Sequence, residues 1–288
     1  MTTELKYTLV AATIVILLSA VYGVRVLIKG RARFERIDRQ GGSLLLGKGA
    51  MEIGYWFLTP IAKFLVALGA TANQVSWLSL GFGFLAGVFL ATGHFGFGAI
   101  CATICGFLDS VDGMVARMSG LASDAGEVLD AAVDRYVEFF FLAGLIVYYR
   151  EVPLLQALAL LTLLGSFMVS YSSTKAEALQ VDVPKGSMRR PERAVYLILG
   201  ASLSALSIPW FERPREFLSA LGYPMIVALG LVTLVTNISA IGRFRRIATA
   251  IRRREKDAAA GVNSANEKLP RDESQDAPIS HRAADLRL

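Results

Sequence analysis

The residues best suited to chemistry lie between Leu108 and Arg135, in the run LDSVDGMVARMSGLASDAGEVLDAAVDR. Four aspartates, Asp109, Asp112, Asp130 and Asp134, stand there among mostly apolar neighbours. Asp109 and Asp112 are three apart and Asp130 and Asp134 four apart, so on helices each pair shares one face. Gly113 and Ala116 fall on the face of the first pair and put small residues beside the acids. Two such helices facing each other gather four carboxylates at one point, and that charge repels itself unless cations neutralise it. Hard carboxylate oxygens suit Mg²⁺, Mn²⁺ or Ca²⁺. The chain has only two histidines, His94 in a Gly-rich turn and His281 near the C-terminus, so proton transfer falls to a carboxylate.

The elements that position these acids are transmembrane helices. The 288 residues are 54% hydrophobic and the mean hydropathy is +0.49, which is more apolar than soluble domains usually are. Several stretches reach the roughly 20 apolar residues that cross a bilayer, and helices satisfy their own backbone there. The fold class is therefore all-α, a polytopic membrane helical bundle. A net charge of +6 and a pI of about 9.4 point to cytoplasmic loops and anionic lipid head groups as partners, not to nucleic acid. Cys101 and Cys105, four apart in an apolar run, read as small packing residues.

In chain order, residues 8–28 form a first span. Its basic residues follow the apolar run and no A-x-A cleavage site is clear, which favours a signal-anchor helix over a cleaved signal peptide. Residues 40–70 are Gly-rich and then broken by Glu52, Pro60 and Lys63, which fits an interfacial helix over Ile53–Leu68. TANQVS (71–76) opens a span to about Ala91, with Thr71 or Asn73 as cap. GHFGFG (93–98) is a turn, 99–118 the next span, and Asp124 with Glu127 reads as a capping box for a helix over 125–149. Further spans cover 153–171, 194–210 and 219–241, separated by a polar loop at 172–193 and an outer turn at 210–217. A basic helix (243–256) and a polar tail expected to be disordered from 257 complete the chain. These seven spans place the basic stretches 25–63, 175–193 and 243–256 on one side, the cytoplasmic one by the positive-inside rule. All four aspartates fall near that face.

Three readings of the acids differ in class. A wet, inert helix end explains one or two acids but not four with glycines among them. A cation transporter would use them as an ion site, but neither inverted repeats nor helices broken in mid-membrane are evident. An enzyme with two divalent ions would clamp a pyrophosphate, with a carboxylate taking the proton of an attacking hydroxyl.

The third reading meets a resemblance. Asp109-x-x-Asp112-Gly113-x-x-Ala116-Arg117, eight further residues, then Gly126-x-x-x-Asp130-x-x-x-Asp134 resembles the signature of the CDP-alcohol phosphotransferases, position for position. TANQVS is similar to the T-P-N segment that opens the family's first core helix, with Ala72 in place of proline. The resemblance covers about residues 47–245. It implies a six-helix core preceded by an interfacial helix, and this chain adds one N-terminal transmembrane helix. The expected divisions are 1–30 for that helix, 31–70 for linker and interfacial helix, 71–245 for the core and 246–288 for the basic segment and tail. The family moves a phosphatidyl-type group from a CDP-linked donor to an alcohol and releases CMP. By resemblance, Asp109, Asp112 and Asp130 ligate two Mg²⁺ or Mn²⁺ ions, and Asp134 is the general base and touches one metal. Gly113, Ala116, Arg117, Gly126 and Asn73 line the cytidine nucleotide. A bacterial inner-membrane location, a cytoplasmic active site and a homodimer go with it.

A membrane-embedded site suits CDP-diacylglycerol as donor. For the acceptor, SYSSTKAEALQ (170–180) and RRPER (189–193) resemble the branch of bacterial phosphatidylinositol-phosphate synthases, in which such segments bind the acceptor's phosphate. Ser170, Lys175, Arg190 and Arg193 match those positions, whereas Ser173 stands where that pattern has its first basic residue. Inositol phosphate is therefore one candidate acceptor. Glycerol 3-phosphate, giving phosphatidylglycerophosphate, and the uncharged alcohols inositol and serine are the others.

Overall fold

Thr71 fixes where the core begins. Its hydroxyl accepts the Gln74 N–H (3.3 Å) while the Gln74 side chain accepts the Thr71 N–H (3.0 Å), so two of the helix's orphan donors are satisfied reciprocally. The computed structural model describes residues 3–29, 48–182, 188–211 and 221–267, and every described element is helical. In chain order these are α1 (Thr3–Lys29), α2 (Lys48–Ala67), α3 (Ala72–Ala91), α4 (Phe95–Met118), α5 (Asp124–Tyr148), a 3-10 turn (Tyr149–Glu151), α6 (Pro153–Ala178), α7 (Arg190–Phe211) and α8 (Tyr223–Glu267).

Helix α3 packs along both α4 and α5, while α8 packs along α6 and α7. The two groups join where α4 meets α7 and α5 meets α6. At one end Leu90, Phe95, Leu142, Leu145, Tyr149, Met225 and Leu229 form the main apolar core. Phe95 and Tyr148 meet edge to face at 4.9 Å, and the Tyr149 hydroxyl donates to the Leu221 carbonyl at 2.9 Å, which closes this end. At the opposite end Leu58 and Ala62 of α2 pack on Val111, Met114 and Val115 of α4, directly behind the Asp109–Asp112 turn. Helix α1 follows the same polarity. The Tyr7 ring lies tilted against Phe97 at the closed end (6.0 Å), and at the other end the Tyr22 hydroxyl donates to Glu52 of α2 (3.1 Å).

Four helices, α3, α4, α6 and the Tyr223–Ala259 part of α8, are long and apolar enough to span a bilayer on composition. Only 28% of the apolar window of α6 and 33% of that of α8 is buried, so the rest of those faces needs lipid. Of the seven expected spans, α1 has a shorter apolar stretch, Ile16–Ile28. α5 and α7 carry charged residues in their first turns. Inside the bundle α6 and α8 share polar ties: the Thr162 and Thr233 hydroxyls lie 2.6 Å apart and Asn237 Nδ2 donates to the Leu161 carbonyl at 3.1 Å.

Several boundaries differ from the expectation. α4 starts at Phe95, so most of the expected 93–98 turn is its first turn, and α5 is capped by Ser123, whose Oγ accepts the Gly126 N–H (3.2 Å). Asp124 and Glu127 occupy the first turn instead, where their charge suits the helix dipole. α6 runs to Ala178, through the stretch expected to be loop. Ser170, Ser173 and Thr174 donate back to the carbonyls of Ser166, Val169 and Ser170, so these polar residues bond within the helix. α8 passes without a break through 245 and 257 to Glu267, a length of roughly 67 Å at 1.5 Å per residue. The expected linker at 31–47, most of the outer turn and the tail from 268 lie outside the described residues.

The crossing of α3 and α5 depends on Gly87 and Gly144. A Cβ on Gly144 would overlap the Gly87 backbone, and one on Gly87 would overlap the Phe140 carbonyl. Gly144→Ala is expected to destabilise the detergent-solubilised protein by about 1–3 kcal/mol through overpacking. An unchanged melting temperature would contradict this close approach.

Candidate active site

The acids arrive from two helices. Asp109 lies nearly two turns before Val115, the last buried residue of α4, and Asp130 and Asp134 lie in the second and third turns of α5. Since α3 packs along both helices, it sets their relative position. Asp109, Asp130 and Asp134 each offer one carboxylate oxygen, all within 4.8 Å of one another, and all three residues are half-buried. Among the described residues this is the group with the geometry to hold a metal ion. The donors are all hard oxygens and converge on one point, which fits Mg²⁺ or Mn²⁺.

The guanidinium of Arg190, the first residue of α7, already lies on two of these acids. Its Nη1 is 3.2 and 3.3 Å from the two oxygens of Asp109 and is ion-paired with Asp134 as well. One helical turn deeper, Arg193 makes a second rung. It donates from Nε and Nη2 to the two oxygens of Glu138 (2.8 and 3.0 Å) and from Nη1 to the Met188 carbonyl (3.3 Å). Arg193 is 1% exposed.

Of the four aspartates expected to converge, Asp112 does not join the other three. Three residues turn a helix about 60° short of a full revolution, which swings Asp112 from the Asp109 face towards α3. There its Oδ2 accepts the Ser76 hydroxyl at 2.6 Å and its Oδ1 accepts the Gly113 N–H at 2.5 Å, in a site that leaves it 5% exposed.

A family model for the CDP-alcohol phosphatidyltransferases matches residues 69–238. The chain belongs to the CDP-alcohol phosphatidyltransferase family. Similar relatives include the phosphatidylinositol phosphate synthase of Corynebacterium glutamicum, 30% identical over 171 residues, covering 58% of this chain and 78% of that one. The synthase of the same name from Streptomyces avermitilis is 28% identical over 248 residues, 83% of this chain and 95% of that one. Among solved structures, the phosphatidylinositol phosphate synthase of Mycobacterium tuberculosis with CDP-DAG bound aligns at a TM-score of 0.57 and 25% identity, over 67% of this chain and 94% of that one. The same enzyme in complex with manganese and citrate aligns at 0.58 and 25% identity, over 67% and 90%. The protein is thus a membrane transferase, and the transporter alternative falls away.

The remaining expected residues of this phosphatidyltransferase fall into groups. The Arg117 guanidinium folds over Gly113, with Nη1 3.2 Å from where a Cβ would stand. A Cβ on Gly126 would lie 4.0 Å from Asn73 Oδ1, so the starts of α3 and α5 meet there. Ala116 is half-buried on the same stretch of α4. Of the residues assigned to the acceptor, Ser170 sits on α6 with its Oγ turned to the Ser166 carbonyl, Lys175 is exposed near the end of α6, and Arg190 is on the acids. Arg193 is enclosed by Glu138 and the Met188 carbonyl.

Three neighbours of these groups were not singled out from the sequence. Glu138 continues the every-fourth-residue line of Asp130 and Asp134, a signal that was visible. Ser76 carries no sequence signal beyond its small polar side chain. Arg243, in α8, donates from Nη2 to Ser173 Oγ at 2.9 Å, so it stands beside the position where the synthase pattern has a basic residue.

Proposed function

We propose that this phosphatidyltransferase moves the phosphatidyl group of CDP-diacylglycerol onto a hydroxyl of inositol phosphate and releases CMP, at the cytoplasmic face of a bacterial inner membrane. The observation that carries the reading is the convergence of Asp109, Asp130 and Asp134 with a guanidinium beside them. The donor is supported by the M. tuberculosis enzyme solved with CDP-DAG bound, and the acceptor by the synthases to which the chain is similar. A phosphate-bearing acceptor also suits Arg190 on the acids and two further cations, Lys175 at the end of α6 and Arg243, which brings a positive charge to Ser173.

In this mechanism Asp109, Asp130 and Asp134 would hold Mg²⁺ or Mn²⁺, and Asp112 would have to turn from Ser76 towards them to complete a two-ion site. The chemistry supplied there is charge, which screens the pyrophosphate of the donor and makes CMP a better leaving group. Asp134 takes the proton of the acceptor hydroxyl as its oxygen bonds to the phosphatidyl phosphorus and the bond to CMP breaks. Gly113, Ala116, Gly126, Asn73 and Arg117 form the nucleotide side of the site, where small residues let the nucleotide approach the backbone. Arg190, Lys175, Ser170 and Arg243 face the acceptor.

The purified protein should be incubated with Mg²⁺, CDP-diacylglycerol and, separately, inositol phosphate, glycerol 3-phosphate, inositol and serine, with lipid products identified by mass spectrometry. The expected result is a phosphatidylinositol phosphate product with stoichiometric CMP, abolished by excess EDTA. Product with uncharged alcohols alone would overturn the acceptor, and turnover in excess EDTA would overturn the metal mechanism.

A further inference from the structure

Arg190 and Arg193 make parallel rungs from α7 to α5, yet they are held very differently. Arg193 meets Glu138 through two nitrogens and is 1% exposed, with its third donor on the Met188 carbonyl. Its fork is fully used and fixes the register of α7 against α5. Arg190 reaches both Asp109 and Asp134 through Nη1, and its side chain keeps 28% exposure at the first residue of the helix. Its carboxylate partners are two of the three groups that converge as candidate metal ligands. A divalent ion on those oxygens would share them with the guanidinium, and two cations on one half-buried pair of carboxylates repel each other strongly.

We infer that Arg190 is an intrinsic counter-cation for the metal carboxylates, so that metal loading displaces its guanidinium from Asp109 and Asp134 and frees it for the phosphate of the acceptor. The inference rests on the metal and acceptor assignments proposed above and adds a coupling between them. Before metal binds, the guanidinium offsets the repulsion among the converging acids. Once metal binds, the same arginine, anchored by the Arg193–Glu138 rung one turn away, presents its fork to an incoming phosphate. Metal and acceptor then favour each other's binding by the same factor, as any coupling of two equilibria requires.

The test is a Mn²⁺ titration of the full chain in detergent without donor, with free Mn²⁺ read by electron paramagnetic resonance. Arg190→Gln is expected to bind Mn²⁺ about tenfold more tightly than wild type, equal to about 1.4 kcal/mol. Arg190→Lys, which keeps the charge on a more flexible stem, should bind about threefold more tightly and serves if the Gln variant does not fold. Arg150→Gln removes an exposed cation just past the end of α5 remote from the acids and should stay within about twofold of wild type. Unchanged or weaker Mn²⁺ binding in the Arg190 variants would overturn the counter-cation role, as would an equal gain in Arg150→Gln. Adding inositol phosphate should tighten Mn²⁺ binding about threefold in wild type and leave Arg190→Gln unmoved; no response in wild type would overturn the coupling. A wild-type protein that makes its lipid product yet fails these titrations removes this inference alone, whereas one that makes no product removes the proposed function.

Discussion

Asp134→Asn is expected to lower CMP release about 10³-fold, in the middle of the range for removing a general base, while the bundle stays assembled. Asparagine has the shape of aspartate, so the packing of α5 on α3 and α6 is preserved. The variant loses the charge that pairs with Arg190, but Arg190 retains Asp109 at 3.2 Å, and the Arg193–Glu138 rung is untouched. Circular dichroism and thermal melting should therefore stay close to wild type. The matched control is Asp124→Asn, at the exposed start of the same helix, which should turn over at nearly the wild-type rate. Mn²⁺ binding separates the two roles proposed for Asp134. Near-normal Mn²⁺ affinity with lost turnover assigns it as base, whereas loss of both makes it chiefly a ligand. More than a tenth of wild-type turnover in Asp134→Asn would remove it from the mechanism.

The aspartates were legible because helical spacing is a local property. Acids three and four residues apart share a face whatever the chain does elsewhere, and their concentration in an apolar sequence marks them. What the spacing could not supply was the partner of each acid. Asp112 finds Ser76 across 36 residues, Glu138 finds Arg193 across 55, and Asp109 finds Arg190 across 81. These pairings depend on how α3 and α7 dock on the acid-bearing helices, and nothing local in RRPER distinguishes the arginine on the acids from the one locked to Glu138. The helix ends were misjudged for a related reason. Polarity reads as loop, but hydroxyls can bond back to their own helix, and a polar helix can continue beyond the bilayer, as α8 does to Glu267. The outline of a helical membrane bundle needed only hydropathy, and this is why it was recoverable before any contact was known.

Arg193→Ala separates a local role from a global one. As an acceptor-pocket residue, Arg193 replaced by alanine would raise the acceptor KM more than the donor KM. The structure predicts otherwise. Arg193 is 1% exposed and the Glu138 side chain 9%, and the two share a bidentate pair at 2.8 and 3.0 Å between α7 and α5. Removing the arginine leaves Glu138 as a buried charge without its partner, a loss that costs about 3–5 kcal/mol. Because Glu138 lies one turn after Asp134 and Arg193 one turn after Arg190, the same loss loosens the side-chain link between α5 and α7 that holds Arg190 on the acids. The expected outcome is a large fall in melting temperature, with turnover reduced for donor and acceptor alike. The double variant Arg193→Met with Glu138→Met removes both charges and leaves apolar side chains between the helices. It should recover most of the stability lost in the single variant, because a buried pair replaced by apolar groups of similar size is often close to neutral. An Arg193→Ala protein that melts like wild type and changes only the acceptor KM would return Arg193 to the acceptor pocket and leave the Glu138 pairing without a structural role.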